Sequence, residues 1–211
     1  MHQLDEHYWT RRYREDDAAW DTGSITAPLK EYIDGLKDKD IAILIPGAGN
    51  GYEAEYLFSK GFSNVSIIDL SEEPLANFKK RVPGFPQENL VKGDFFDHQS
   101  HYDLIIEQTF FCALDPSLRS RYAEKMHSLL KPGGRLVGLL FNDKLNTDKP
   151  PFGGSREEYI PYFEKYFTFK TFETCYNSIK PRAGRELFVN LVKIWQNDSR
   201  DTTPALLKGG S

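Results

Sequence analysis

The stretch IAILIPGAGNG (residues 41–51), followed by a short helical pattern and then VSIID (residues 65–69), decides the fold of this chain. Its apolar runs are typical of buried strands. Glycines in the intervening turn allow positive φ angles and let the backbone lie against a ligand. Asp69 follows about twenty residues later, where a carboxylate at a strand end can accept hydrogen bonds from two ribose hydroxyls. The stretch therefore predicts a nucleoside-binding half. The glycines of the turn are Gly47, Gly49 and Gly51.

The spacing of these glycines indicates which nucleoside is bound. The pattern is Gly-x-Gly-x-Gly followed by Tyr52, whereas a dinucleotide site carries a small residue there for close helix packing. A second acid, Asp94, follows a third short apolar run and precedes Phe95. Two acids after consecutive strands, together with an aromatic ring, could hold a ribose and an adenine. The pattern therefore favours S-adenosylmethionine over a nicotinamide dinucleotide.

Strand and helix patterns alternate along most of the remaining chain, which predicts an α/β fold with a parallel sheet and helices on both faces. A closing pair of strand-like runs predicts an antiparallel hairpin that adds to one edge, for seven strands in all. Further strands are predicted at residues 90–92, 102–107 and 135–141, and the hairpin within 168–195. Helices are predicted at 28–36, 53–60, 116–130 and 155–165, and after the capping residue Ser71.

Residues 5–20 are charged and aromatic. Trp9, Tyr13 and Trp20 are spaced by four and then seven residues, so they share one face if the segment is a helix. That face could pack on the core, as in any amphipathic helix. It could also form an N-terminal lid, because aromatic rings suit a sulfonium cation and a flat adenine.

Composition limits the class of protein. With 211 residues the chain is long enough for one domain, which we expect at 1–196, with 1–27 as the lid segment and 197–211 as a disordered tail. A formal net charge of −4 argues against a nucleic-acid partner. No apolar run is long enough to span a membrane. We therefore expect a cytoplasmic protein, and a monomer, that acts on a small molecule.

Cysteine and histidine patterns predict neither a disulfide framework nor a metal site. Cys112 and Cys175 have a spacing that fits no zinc motif. His98 and His101 flank a loop with no third ligand in view. We therefore expect no metal.

Several further motifs resemble a known family. The segment LLKPGG (129–134) before the fifth strand is similar to class I S-adenosylmethionine-dependent methyltransferases, which implies their Rossmann-like fold. Within this class the chain resembles the thiopurine S-methyltransferase superfamily over about residues 5–195. Its segment FFCAL (110–114) is most similar to plant and microbial halide and thiol methyltransferases. The other shared motifs are WDTG (20–23), IPG (45–47), the run from Phe110 to Arg119, and PPF (150–152).

The resemblance implies roles for individual residues. Lid residues Trp9, Tyr13 and Trp20 would cover the cofactor, S-adenosyl-L-methionine, whose product is S-adenosyl-L-homocysteine. The glycine turn would meet its methionine part. The remaining cofactor residues would be Asp69 for the ribose, its neighbour Leu70, Asp94 and Phe95 for the adenine, and Gln108 near the methyl donor. On the substrate side the candidates are Gln108, Phe111 and Arg119, the last matching an arginine near the acceptor in thiopurine enzymes. Two positions depart from halide-type relatives, which carry tryptophan in place of Tyr13 and tyrosine in place of Gln108.

The implied chemistry is a single in-line displacement in which a soft nucleophile takes the methyl group. Candidate acceptors are a thiol, hydrosulfide, thiocyanate, halide or thiopurine. An acceptor that is ionised near neutral pH needs little general base, so proximity and exclusion of water would carry the reaction. Two alternatives stay open at this point. One is a non-catalytic protein that binds S-adenosylmethionine, and the other is an NAD-dependent Rossmann oxidoreductase.

Overall fold

The apolar runs of the sequence form one seven-stranded sheet in the computed structural model, which describes residues 4–194. The predicted disordered tail, 197–211, lies outside the described residues. The strands are β1 (Ile43–Pro46), β2 (Val65–Asp69), β3 (Leu90–Lys92), β4 (Tyr102–Gln108), β5 (Leu130–Phe141), β6 (Phe167–Thr174) and β7 (Glu186–Lys193). The α-helices are α1 (Glu6–Arg14), α2 (Ala27–Asp34), α3 (Tyr52–Ser59), α4 (Glu72–Arg81), α5 (Arg119–Leu129) and α6 (Arg156–Phe163).

The strand order is β3-β2-β1-β4-β5-β7-β6. The first five of these strands pair in parallel, whereas β7 pairs antiparallel with both β5 and β6. The predicted mostly parallel sheet with an antiparallel edge hairpin is therefore confirmed.

Helices cover both faces of the sheet. Side chains alternate across each strand, so each strand contributes residues to the apolar cluster on either face. Along β1, Leu44 packs into one apolar cluster while Ile43 and Ile45 pack into the other. The Leu44 cluster contains residues of α5 and α6, such as Tyr122 and Phe163. The opposite cluster contains residues of α2, α3 and α4. Parallel strands buried on both faces explain why β1 and β4 read as nearly continuous apolar runs.

One predicted boundary is wrong, and the helix considered for residues 5–20 covers only part of that segment. α1 ends at Arg14, before Trp20, and Asp16 just beyond it adopts a positive φ of 55°. β5 begins at Leu130, where the sequence predicted the end of a helix. Leu130 pairs with Tyr102, but the register then shifts. Residues 131–134 lie between the paired residues Leu130 and Arg135 and form the bulge that shifts the register. Gly133, one of them, has a φ of 73°.

The carboxyl ends of β1, β2 and β4 lie side by side, so the glycine turn, Asp69 and Gln108 meet at one edge of the sheet. In open α/β sheets this edge is where ligands bind. The fold therefore brings together residues from three separate parts of the sequence.

Gly138→Ala is expected to destabilise the sheet. Gly138 lies opposite Glu107 on β4, and a Cβ added at Gly138 would lie 2.4 Å from the Glu107 carbonyl oxygen and 2.8 Å from its Cβ. Both of these Glu107 atoms are held in place by β4 and cannot move away. We therefore expect the free energy of unfolding, measured by urea denaturation, to fall by about 1–3 kcal/mol. Gly93→Ala is the matched control, because its added Cβ meets nothing within 4 Å. A Gly138→Ala variant as stable as the control would contradict this packing.

Candidate active site

A cavity of about 790 Å³ opens at the carboxyl edge of the sheet. It is lined by the N-terminal segment, the glycine turn, the ends of β2 and β4, the loop 142–155 and the residues just before β7. This volume is in the upper part of the range for small-molecule sites. It therefore has room for a nucleoside cofactor together with a small second ligand.

Asp69 lines this cavity at the end of β2, where the sequence predicts a ribose site. Its Oδ2 accepts a hydrogen bond of 2.9 Å from the Gly49 N–H, and its Oδ1 accepts one of 2.9 Å from the Ser71 N–H. Burial raises the pKa of Asp69 to about 6, although hydrogen bonds from Ser71, Gly49 and Leu70 oppose the shift. The carboxylate has about four lone-pair sites, so it keeps acceptor capacity for a ligand hydroxyl.

The glycines of the turn lie where a side chain has no room. Gly47 and Gly49 have φ angles of 56° and 52°. A Cβ at Gly47 would lie 2.2 Å from the Phe110 ring, and one at Gly49 would lie 2.7 Å from the Tyr13 hydroxyl. The turn is therefore packed between the end of β4 and the N-terminal segment, with its backbone toward the cavity.

A second buried carboxylate, Glu107, holds the turn after β4. Its Oε1 accepts hydrogen bonds of 2.8 Å from the N–H groups of both Phe110 and Phe111. Thr109 lies between the end of β4 and Phe110. It has a φ of 60°, which is uncommon for a residue other than glycine. Glu107 is 1% exposed, and its Oε2 has no hydrogen-bond partner among the described residues. Burial raises the pKa of Glu107 to about 8, so this group is a neutral acid at pH 7.

The N-terminal segment contacts the glycine turn through polar and aromatic groups. The Trp20 ring packs edge-to-face on Trp9 and Tyr13, with ring centroids 5.6 and 5.7 Å apart. The Asp21 carboxylate accepts a hydrogen bond from the Asn50 amide. Although Trp20 lies outside α1, the three aromatic residues therefore form one group, and all three line the cavity.

Nine of the predicted site residues line the cavity and four do not. Gly51 starts α3 and faces Phe78. Phe95 is buried against Phe110, with ring centroids 5.2 Å apart. The residues that line the cavity are Trp9, Tyr13, Trp20, Gly47, Gly49, Asp69, Leu70, Asp94 and Gln108.

Phe111 and Arg119, two of the substrate-side candidates, lie behind the cavity wall. The Phe111 ring packs on Tyr159 with centroids 5.1 Å apart. Arg119 is 2% exposed and donates a hydrogen bond of 2.7 Å to the Gly153 carbonyl. It also pairs with Glu158 at 3.4 Å. Arg119 therefore supports the loop 142–155, which reaches the cavity through Leu145, Pro150 and Pro151, whereas Phe111 packs on α6.

Several cavity residues were missed by the sequence analysis. Arg182 is buried, and it donates a hydrogen bond of 2.8 Å to the Trp20 carbonyl and pairs with Glu186 at 3.4 Å. It lies in the polar run before β7, where only a hairpin turn was predicted. Glu53 follows the glycine turn, and burial raises its pKa to about 7. A charged residue in the first turn of a helix is too common a pattern to mark a site.

The cavity residues fit S-adenosylmethionine. Seven carboxylate side chains and three guanidinium groups line the cavity, an acidic balance that suits a sulfonium cation. The aromatic rings of the N-terminal segment suit the same charge. Across residues 4–194, no group of three or more His, Cys, Asp or Glu side chains could hold a metal ion. Over the same range, no helix is both long enough and apolar enough to cross a membrane.

This fold and this site define a class I S-adenosylmethionine-dependent methyltransferase. A family model described as "Thiopurine S-methyltransferase (TPMT)" matches residues 4–196. The chain belongs to this family, so the enzyme class and the cofactor are established. Membership also favours the methyltransferase over the oxidoreductase and the non-catalytic binder.

Relatives and solved structures agree with this assignment. The chain is 30% identical to probable thiol methyltransferase 2 of Arabidopsis thaliana, over 72% of this chain and 69% of the relative. It is 29% identical to thiocyanate methyltransferase 1 of the same plant, over 71% and 67%. It is 25% identical to a thiopurine S-methyltransferase of Pseudomonas fluorescens, over 81% and 87%.

The fold is also shared with solved methyltransferases of low sequence identity. A 1,6-didemethyltoxoflavin-N1-methyltransferase of Burkholderia thailandensis superposes with a TM-score of 0.74 at 17% identity, over 89% of this chain and 86% of that one. A TehB-like methyltransferase of Corynebacterium glutamicum gives 0.65 at 19% identity, over 90% and 98%. At this identity the likeness shows the fold alone.

Asp69→Ala is expected to weaken cofactor binding by roughly 1–3 kcal/mol, because the ribose hydroxyls would be buried in the complex without their acceptor. Calorimetric titration with S-adenosylhomocysteine measures the change. Asp97→Ala is the matched control, since Asp97 is exposed and lies outside the cavity lining. Equal affinity of the Asp69→Ala variant and the control would remove Asp69 from the site.

Glu107→Gln is expected to change the pH dependence of stability. The pKa of Glu107 is raised from 4.5 to about 8, so its contribution to stability is full at low pH and is lost as the pH rises through about 8. Glutamine keeps an acceptor oxygen for Phe110 and Phe111 and does not titrate.

The stability of the Glu107→Gln variant relative to wild type should therefore rise by about 4 kcal/mol from pH 5 to pH 8.5. Urea denaturation of both proteins at about pH 5 and about pH 8.5 measures it, and the difference cancels the titration of all other groups. A stability difference that is the same at both pH values would contradict a neutral buried Glu107.

Proposed function

We propose that this enzyme methylates a small, soft nucleophile: a thiol, hydrosulfide, thiocyanate, halide or thiopurine. The observation that carries the proposal is the part of the cavity beyond Gln108. Its walls include Phe141, Leu145, Pro150 and Pro151, and no histidine or lysine among the described residues lines the cavity. Such a site suits an acceptor that is polarisable and ionised near neutral pH. The thiol, thiocyanate and thiopurine methyltransferases among its relatives support this class.

The cofactor supplies a methyl group on a positively charged sulfur, which is already activated for displacement. The glycine turn and Asp69 hold the nucleoside side, and Asp94 and Leu70 line the same region. Gln108 ends β4 between the two parts of the cavity, so it can orient both ligands. These residues contribute proximity and alignment. Phe95, Phe111 and Arg119 act from behind the wall, where they pack the loops that carry the lining residues.

The N-terminal segment is proposed as the lid of the site. Trp9, Tyr13 and Trp20 form one aromatic group over the glycine turn, and Arg182 connects Trp20 to the sheet. Covering the ligands in this way excludes water from the cavity in which the methyl group is transferred.

The proposal includes a monomer in the cytoplasm. Both cysteines are buried and free, which fits a reducing compartment. Light scattering coupled to gel filtration measures the oligomeric state directly.

Mass spectrometry of S-adenosylhomocysteine production tests the acceptor class. The enzyme is given S-adenosylmethionine and, one at a time, iodide, thiocyanate, hydrosulfide, an aromatic thiol and a thiopurine. We expect turnover with at least one of them, and the order of preference separates a halide or thiol enzyme from a thiopurine enzyme. Asp69→Ala serves as the impaired control. No turnover with any acceptor, while S-adenosylhomocysteine still binds, would contradict the proposed acceptor class.

A further inference from the structure

Glu53 differs from the other carboxylates that line the cavity. Seven carboxylate side chains do so, and six of them bond or pair with another residue. The hydrogen bond to the Glu53 carboxylate comes from its own backbone N–H, and no other residue of the described range 4–194 donates one. Glu53 is therefore the carboxylate that is left for a ligand. The six with partners are Asp5, Glu6, Asp21, Asp69, Asp94 and Asp115.

The position of Glu53 directs its free oxygens into the cavity. It is the second residue of α3 and lies two positions after Gly51, the N-cap of that helix. The residue is only 7% exposed, but its oxygens are not sealed off without a partner as Oε2 of Glu107 is. Because Glu53 lines the cavity and is buried elsewhere, the surface that it keeps faces the cavity.

The charged groups around Glu53 leave a place for a cation. Asp21 of the N-terminal segment and Glu107 of β4 are carboxyl groups that act on it electrostatically, and Arg182, from the residues before β7, is the cation that does so. Arg182 is already paired with Glu186 at 3.4 Å. Burial raises the pKa of Glu53 to about 7, so without a ligand this group is partly protonated at neutral pH.

We propose that Glu53 binds the ammonium group of the cofactor's methionine part, and that its carboxyl group releases its proton to solvent when the cofactor binds. An ammonium group has three N–H donors, whereas the sulfonium has none. The ammonium group is therefore the cofactor cation that matches an unused acceptor. The ribose hydroxyls are also donors, but they are expected at Asp69, on the neighbouring strand. The proposal concerns the cofactor and does not depend on the identity of the acceptor.

Calorimetric titration of Glu53→Gln with two ligands tests this contact. S-adenosylhomocysteine carries the ammonium group, whereas 5′-methylthioadenosine keeps the adenine and the ribose but lacks the amino-acid part. We expect the Kd of S-adenosylhomocysteine to rise roughly tenfold, the equivalent of weakening one hydrogen bond to a charged group. The Kd of methylthioadenosine should change less than about twofold, because its hydrogen bonds are untouched.

Two controls separate the ammonium group from a structural effect. An analogue of S-adenosylhomocysteine without the α-amino group should bind equally to wild type and to Glu53→Gln. Glu55→Gln is the matched variant, because Glu55 lies on the same helix, pairs with Arg81 and does not line the cavity. It should bind both ligands as wild type does.

Proton release by the wild-type protein tests the second part of the proposal and needs no variant. Calorimetry in two buffers of different ionisation enthalpy gives the number of protons released per bound ligand. At about pH 6.5, S-adenosylhomocysteine should release roughly half a proton or more beyond methylthioadenosine, because free Glu53 has a pKa of about 7. Both ligands carry the ribose, so the comparison removes the contribution of Asp69. Glu53→Gln should lose the excess.

The proposal is overturned by any of four results. They are an unchanged S-adenosylhomocysteine Kd in Glu53→Gln, an equal loss of methylthioadenosine affinity, the same loss with the deaminated analogue, or no excess proton release by wild type. An equal loss for all ligands would show that Glu53 only supports the glycine turn. None of these measurements involves turnover, so their outcome is separate from the test of the acceptor class.

Discussion

The buried carboxylate of Asp69 is the interaction on which the order of the glycine turn depends. It accepts the Gly49 N–H from the turn after β1 and the Ser71 N–H from the start of α4. One side chain therefore joins the loops that follow two neighbouring strands. A buried carboxylate without a cation is unfavourable unless hydrogen bonds compensate, and its raised pKa shows that the compensation is partial. A ligand hydroxyl would add to this compensation, so cofactor binding and the order of the two loops support each other.

Glu107 holds the turn after β4 in a corresponding way, but its two carboxyl oxygens are used differently. It also bonds two backbone N–H groups, but both are held by the same oxygen, and the other oxygen has no partner in the described part of the chain. The result is a neutral acid that fixes the turn bearing Gln108. The Phe110 ring from this turn packs against Gly47. The two halves of the cavity are therefore coupled by direct contact, because the glycine turn has room for the ring only without a side chain.

The sequence allowed prediction of the features that local chemistry determines. Strands buried on both faces, the glycine turn and Asp69 at a strand end all leave patterns within a few residues. The start of β5 at Leu130 could not be predicted in this way, because it depends on pairing with Tyr102 and on a register shift. The end of α1 was missed because the aromatic spacing continues past the helix to Trp20.

More of the residues expected for the cofactor line the cavity than of those expected for the acceptor. Cofactor residues follow strands directly, so fold and site share one pattern. Other cavity groups come from loops and from contacts between distant segments, as with Arg182, which no local pattern reveals. Arg119 was expected near the acceptor from a motif match, and the fold buries it against Gly153, outside the cavity lining.

The most direct test of the account is the crystal structure of the complex with S-adenosylhomocysteine. The account predicts one molecule in the cavity, with its ribose hydroxyls on Asp69, its adenine beside Asp94 and its sulfur on the side of Gln108. A ligand bound elsewhere, with Asp69 contacting only the backbone of Gly49 and Ser71, would contradict it.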